Sequence, residues 1–168
     1  MSTLVTAGEI ERVFAGCFGP HTSHGTQLQG GAQEPLYEPA VDGSPARLWY
    51  REDFAASALH EAAHWCVAGP ARRRRVDFGY TYSPPPRTAR EQAAFFRAEL
   101  KVQALESLFA DAAGLPFRAS ADNLEADVRD FEQRVLAAKA ATQVWLSTSA
   151  DGRARLFAAA LADARRSA

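Results

Sequence analysis

Residues 60–64 read His-Glu-Ala-Ala-His, and the chemistry this spacing permits is metal chelation. On a helix, positions i and i+4 share a face about one turn apart, so His60 and His64 can reach one ion. Neutral imidazole nitrogen suits a borderline divalent cation, and a stiff helix holds the two rings as a preorganised half-site. Ala62 and Ala63 leave the approach open. The chain has only four histidines, and two of them at chelating spacing weigh against a plain polar helix face. Glu61 occupies the position from which zinc peptidases draw a general base. His21 and His24, in a glycine-rich stretch, read as solvated loop residues.

Two histidines do not complete a site, so a carboxylate on a neighbouring helix is the expected third ligand. Glu99, Glu106 and Asp111 fall in the next long helical segment. Glu99 is surrounded in sequence by Phe95, Phe96, Leu100 and Val102, where an unpaired carboxylate is costly and a metal relieves the cost. Arg97 and Lys101 beside it make a solvated face an equal alternative on these residues alone. Glu106 is then a group able to orient a ligand histidine. Two chemistries fit. Zinc on His60, His64 and Glu99, with Glu61 as general base, would make a metallopeptidase; ferrous iron on the same groups leaves positions for dioxygen and substrate.

The elements that must position these groups follow from periodicity and punctuation. Residues 7–18 place Ile10, Val13, Phe14, Cys17 and Phe18 at helical spacing and end at Gly19-Pro20. The Gly-, Gln- and Pro-rich stretch from His21 to Pro45 predicts mostly loop, of a length that suits either a lid over a site or a mobile segment. Arg47–Tyr50 reads as a short strand. Residues 53–68, rich in Ala and closed by Gly69-Pro70, form the helix that carries both histidines. Val76–Tyr82 alternates large and small residues as a strand would. Thr88 and Glu91 mark a capping box opening a long helix to Gly114. Ser120 or Asp122 is expected to cap a third long helix to about Leu146, and residues 153–166 make another. The expected architecture is α+β and mainly helical, one compact domain over residues 1–168 with a few short strands.

Composition narrows the partners. With 47% hydrophobic residues there is material for a real core, and the balance of 19 basic against 20 acidic residues gives no overall footprint for nucleic acid. The apolar runs are too short for a membrane span, and the first residues lack the pattern of a secretory signal. A cytoplasmic protein is expected, with Cys17 and Cys66 as reduced thiols. The Arg72–Arg75 run reads as a solvated turn favouring a helix C-terminus, or as a docking surface for an acidic partner.

The stretches SALHEAAHWCVAG, ARRRRVDFGYTY, ELKVQALE, AAGLPF and SADNLE occur in that order, with VFAGCF, EPLYEPA and FEQRV elsewhere. Together they resemble the elongation factor P hydroxylase family over most of the chain. The resemblance implies an oxidoreductase that hydroxylates the modified lysine of elongation factor P after a β-lysyl group has been attached. It implies Fe(2+) as metal with dioxygen as cosubstrate, and ligands at His60, His64 and Glu99, which favours the oxygenase over a Zn(2+) peptidase. Glu61 then bonds a metal water or holds histidine geometry. Tyr80, Tyr82 and Trp65 become aromatic choices for the cleft wall, and Arg72 and Arg73 for contact with elongation factor P.

Overall fold

Thr6 opens the first helix with a reciprocal cap. Its Oγ accepts from the Glu9 amide at 3.2 Å while Glu9 accepts from the Thr6 amide at 2.7 Å. Helix α1 (Ala7–Phe18) turns Ile10, Phe14 and Phe18 inward, all fully buried. The computed structural model describes residues 5–167. The chain continues through strands β1 (Thr26–Ala32), β2 (Leu36–Glu38) and β3 (Ala46–Arg51), which form one sheet in the order β1-β3-β2. β1 runs parallel to β3 with Leu28 opposite Leu48, and β2 runs antiparallel with Tyr37 opposite Leu48. The alternation of β3 sends Ala46, Leu48 and Tyr50 into the core. Gly30 is required where β1 bulges, because a Cβ there would lie 2.5 Å from the Glu52 carbonyl.

Four further helices complete a mainly helical single domain. They are α2 (Ala55–Val67), α3 (Ala89–Ala113), α4 (Arg129–Thr148) and α5 (Arg153–Ser167). The 25-residue α3 runs through the centre, opened by the expected Thr88–Glu91 box and closed by Gly114 in the left-handed conformation. One face of α3 packs on α2 and α5 through Leu105 and Phe109, and its other face meets α4, where Phe96 stacks on Phe131 at 4.3 Å. No helix among the described residues is long and apolar enough to cross a membrane.

Three expectations are corrected. Within the stretch 21–45, expected as mostly loop, the unforeseen element is strand β1, whose partner β3 lies further along the chain. Residues 76–82 are not a strand. A 3-10 turn covers Arg72–Arg74 and another Val76–Gly79, with Asp77 (φ 48°) and Phe78 (φ 56°) in the left-handed region. Such strain needs anchoring. Asp77 Oδ1 accepts from the Tyr37 amide at 2.9 Å, and Phe78 stacks on Tyr37 with centroids 4.2 Å apart. Finally, neither Ser120 nor Asp122 caps a helix, because residues 115–128 are held irregular by side chains of α3 and Arg87. Helix α4 starts only at Arg129, with Val128 before it.

Candidate metal centre

Helix α2 is fixed at its end, just beyond the second histidine. The Ala68 amide closes on the His64 carbonyl at 3.0 Å. The orphan carbonyls of Trp65, Cys66 and Ala68 accept from one guanidinium, Arg153 of α5, at 2.8, 3.3 and 2.9 Å. Arg153 is only 2% exposed, lies 4.4 Å over the Trp65 ring and pairs with Asp151 at 3.0 Å. The helix dipole and three carbonyls thus receive a buried, paired cation.

Facing α2, helix α3 presents Glu99, Gln103 and Glu106 at helical spacing. His64 Nε2 lies 3.0 Å from Glu99 Oε1, and His60 Nε2 lies 3.4 Å from Glu99 Oε2. One donor atom from each of the three side chains falls within 4.8 Å of the others. Glu99 is 1% exposed. Its Oε1 accepts from Tyr82 Oη at 2.8 Å and its Oε2 from Gln103 Nε2 at 3.1 Å. Each oxygen therefore has one neutral donor behind it and one imidazole before it. Gln103 is itself fixed by both groups of the Ser120 backbone, 2.9 Å from each.

The two imidazoles are oriented differently. His60 Nδ1 meets Glu106 Oε2 at 2.7 Å, so a carboxylate selects which nitrogen faces Glu99. His64 is held by packing, parallel to Phe78 at 6.0 Å and edge-on to Tyr80 at 5.8 Å. Its Nδ1 is buried and has no hydrogen-bond partner among the described residues.

Charge is balanced across this cluster. Burial acts to lower His60, but Glu106, Glu99 and Glu61 overturn it and raise the imidazole to about 10. Burial acts to raise Glu99, but the two histidines and the bond from Gln103 hold it well below the usual carboxylate range. For Glu61 burial prevails: it pushes the carboxyl up although both histidines pull it down, and the neighbouring Glu99 and Asp77 carboxylates add to the rise. Burial and the neighbouring Glu99 carboxylate raise the Tyr82 phenol, which keeps it a neutral donor.

The donor set fits a divalent metal. Two imidazole nitrogens and one carboxylate oxygen converge, a second carboxylate backs one ligand, and the buried carboxylate otherwise has only two neutral donors. A cavity of about 530 Å³ opens on these groups, with Glu61, Tyr80 and Tyr82 in its walls.

Other residues singled out in the sequence lie elsewhere. Trp65 is buried in the core rather than in the cavity wall. Arg72 donates to the Phe78 carbonyl at 3.1 Å and lies 4.4 Å over the Tyr80 ring, while Arg73 donates to the Ala68 carbonyl. Neither lines the cavity. Asp111 pairs with Lys139. His24 packs edge-on against Phe18 and Trp65, away from the cluster. Sequence reasoning passed over Gln103 and Phe78. The first was visible as the i+4 neighbour of Glu99; the second had no sequence signal, since its contact with His64 depends on the left-handed turn.

Comparison with known proteins agrees with the motif order. A family model described as elongation factor P hydroxylase matches residues 13–167. The elongation factor P lysine hydroxylase of Haemophilus influenzae is 44% identical over 131 residues, which span 76% of this chain and 72% of that protein. With a divalent-metal donor set at the centre of the matched region, this chain belongs to the elongation factor P hydroxylase family.

Proposed function

We propose that this protein hydroxylates the β-lysylated lysine of elongation factor P, with ferrous iron on His60, His64 and Glu99 and dioxygen as oxidant. The reading makes it a monooxygenase of the cytoplasm, where translation takes place. The observation that carries it is the convergence of two imidazoles and one buried carboxylate on an open cavity, in a chain of this family. Ferrous iron held by His60, His64 and Glu99 would supply the activation of dioxygen. One oxygen atom enters a C–H bond of the side chain; the other leaves as water, with two electrons and two protons from a reductant.

The protein's own residues position and exclude. Tyr82 and Gln103 fix the Glu99 carboxylate, and Glu106 fixes the His60 ring, so the three donors need little reorganisation. Tyr80, Tyr82 and Phe95 give the cavity an aromatic wall for an aliphatic chain and keep water from the reacting carbon. Glu61, beside both histidines and on the cavity wall, can take up a proton there. The arginine run abuts the turn that carries Asp77 and Phe78, and its exposed Arg74 and Arg75 can meet an acidic face of the substrate protein. Isotope labelling tests the reading. Incubation under ¹⁸O-labelled dioxygen is expected to place label in the product lysine, whereas label entering only from water, with peptide cleavage stopped by Glu61→Gln, would mean a zinc peptidase.

A further inference from the structure

The cavity walls carry carboxylates of Glu34, Glu61, Asp77, Glu99, Glu106 and Asp122 against one arginine, Arg118. Half of these acids are already matched. Glu99 faces both histidines, Glu106 is bonded to His60, and Asp122 pairs with Arg87 at 3.1 Å. Glu34, Glu61 and Asp77 are left.

Glu61 is the informative member. It is 7% exposed, lines the cavity, and its carboxyl has no hydrogen bond or ion pair to any described residue. Its oxygens are not sealed in protein but open on the cavity, so a cation or donor entering that space meets a carboxylate with no protein partner to give up. Asp77 uses only Oδ1, on the Tyr37 amide, which leaves Oδ2 free. Its left-handed backbone is locked by that bond and by the Phe78–Tyr37 stack. Glu34, in the connection between β1 and β2, is exposed. The acids therefore run from solvent inward, with Glu34 and Asp77 exposed and Glu61 beside the histidines. Tyr80, Tyr82 and Phe95 supply apolar wall in the same cavity.

We propose that Glu34, Asp77 and Glu61 form a receptor for the ammonium groups of a long aliphatic side chain, and that the cavity tells a β-lysylated lysine from an unmodified one by these charges. The β-lysyl group brings two ammonium groups on an aliphatic stem, where unmodified lysine brings one. The proposal rests on the hydroxylase reading for the identity of the side chain. The receptor itself rests on the unmatched carboxylates.

The test is titration calorimetry on the zinc-loaded protein, which binds without turning over. The probes are Nα-acetyl-Nε-(β-lysyl)-lysine methylamide and its Nε-hexanoyl counterpart, which has the same chain without amines. The wild type is expected to bind the β-lysyl probe about tenfold more tightly, and Asp77→Asn and Glu34→Gln each to lose about fivefold at low salt and less at high salt. Both variants keep their zinc and their affinity for the hexanoyl probe. The Asp77→Asn change retains an Oδ1 acceptor for the Tyr37 amide and a side chain that tolerates the left-handed backbone, so the fold is preserved. Equal affinity of the wild type for both probes, or no loss in either variant, overturns the receptor. Hydroxylation of elongation factor P by the wild type is measured alongside. Turnover with charge-blind binding removes the receptor and leaves the hydroxylase, whereas charge-selective binding without turnover does the reverse.

Discussion

Glu106 Oε2 lies 2.7 Å from His60 Nδ1, on the ring nitrogen opposite the one that faces Glu99. This bond makes His60 the ligand whose orientation is electrostatic, in contrast to His64, which is wedged against Phe78. Substituting Glu106→Ala is expected to weaken zinc binding about tenfold to a hundredfold. Chelator competition measures it. An unchanged affinity would show that packing alone holds the ring.

Tyr82 and Gln103 each give one hydrogen bond to Glu99. Tyr82→Phe removes one donor to a charged group, at a cost of about 2 kcal/mol in metal-free stability. Gln103→Leu is expected to cost more, because it also strands the Ser120 amide and carbonyl. Urea unfolding of the two variants gives the order, and the reverse order would mean that the Ser120 segment carries no tension from α3.

Without metal, His60 stands at about 10, above the ordinary 6.5. A folded value above the unfolded one stabilises fully below the unfolded value and is lost as pH rises through the folded one. Glu99 is shifted the other way, so its contribution is present above the ordinary 4.5 and is lost as acid protonates it. The metal-free protein should therefore lose Tm on the alkaline side as well as in acid. Metal needs the neutral ring, so at pH 8 zinc uptake is expected to release about one proton, read by calorimetry in buffers of different ionisation enthalpy. No release would mean that His60 is already neutral.

Arg153→Met leaves the carbonyls of Trp65, Cys66 and Ala68 without their shared donor. A loss of about 3 kcal/mol in urea unfolding is expected. A loss below about 0.5 kcal/mol, the range of a neutral surface change, would contradict this clamp.

What could be read in the sequence was whatever depends on neighbours along the chain. Helices α1, α2, α3 and α5 announce themselves through apolar spacing, the Thr88–Glu91 box and the Gly69-Pro70 stop. The i, i+4 histidines were equally legible, as was Glu106 as a backing group. Strand β1 was not, because TQLQGGA has little apolar alternation and owes its conformation to the parallel partner β3. The alternation of Val76, Phe78, Tyr80 and Tyr82 imitated a strand, but the left-handed Asp77 and Phe78 answer to Tyr37, far off in sequence. Helix α4 begins late for the same reason. Gln92, Gln103 and Arg87 hold the backbone of Ser120, Ala121 and Asp122 from outside the segment.

The central claim is tested most directly by the intact mass of β-lysylated elongation factor P after aerobic incubation with the iron-loaded protein and a reductant. A gain of one oxygen is expected with the wild type and none with His60→Ala, whose metal site has lost a donor. No gain from the wild type at verified iron occupancy, or an equal gain from His60→Ala, would contradict it.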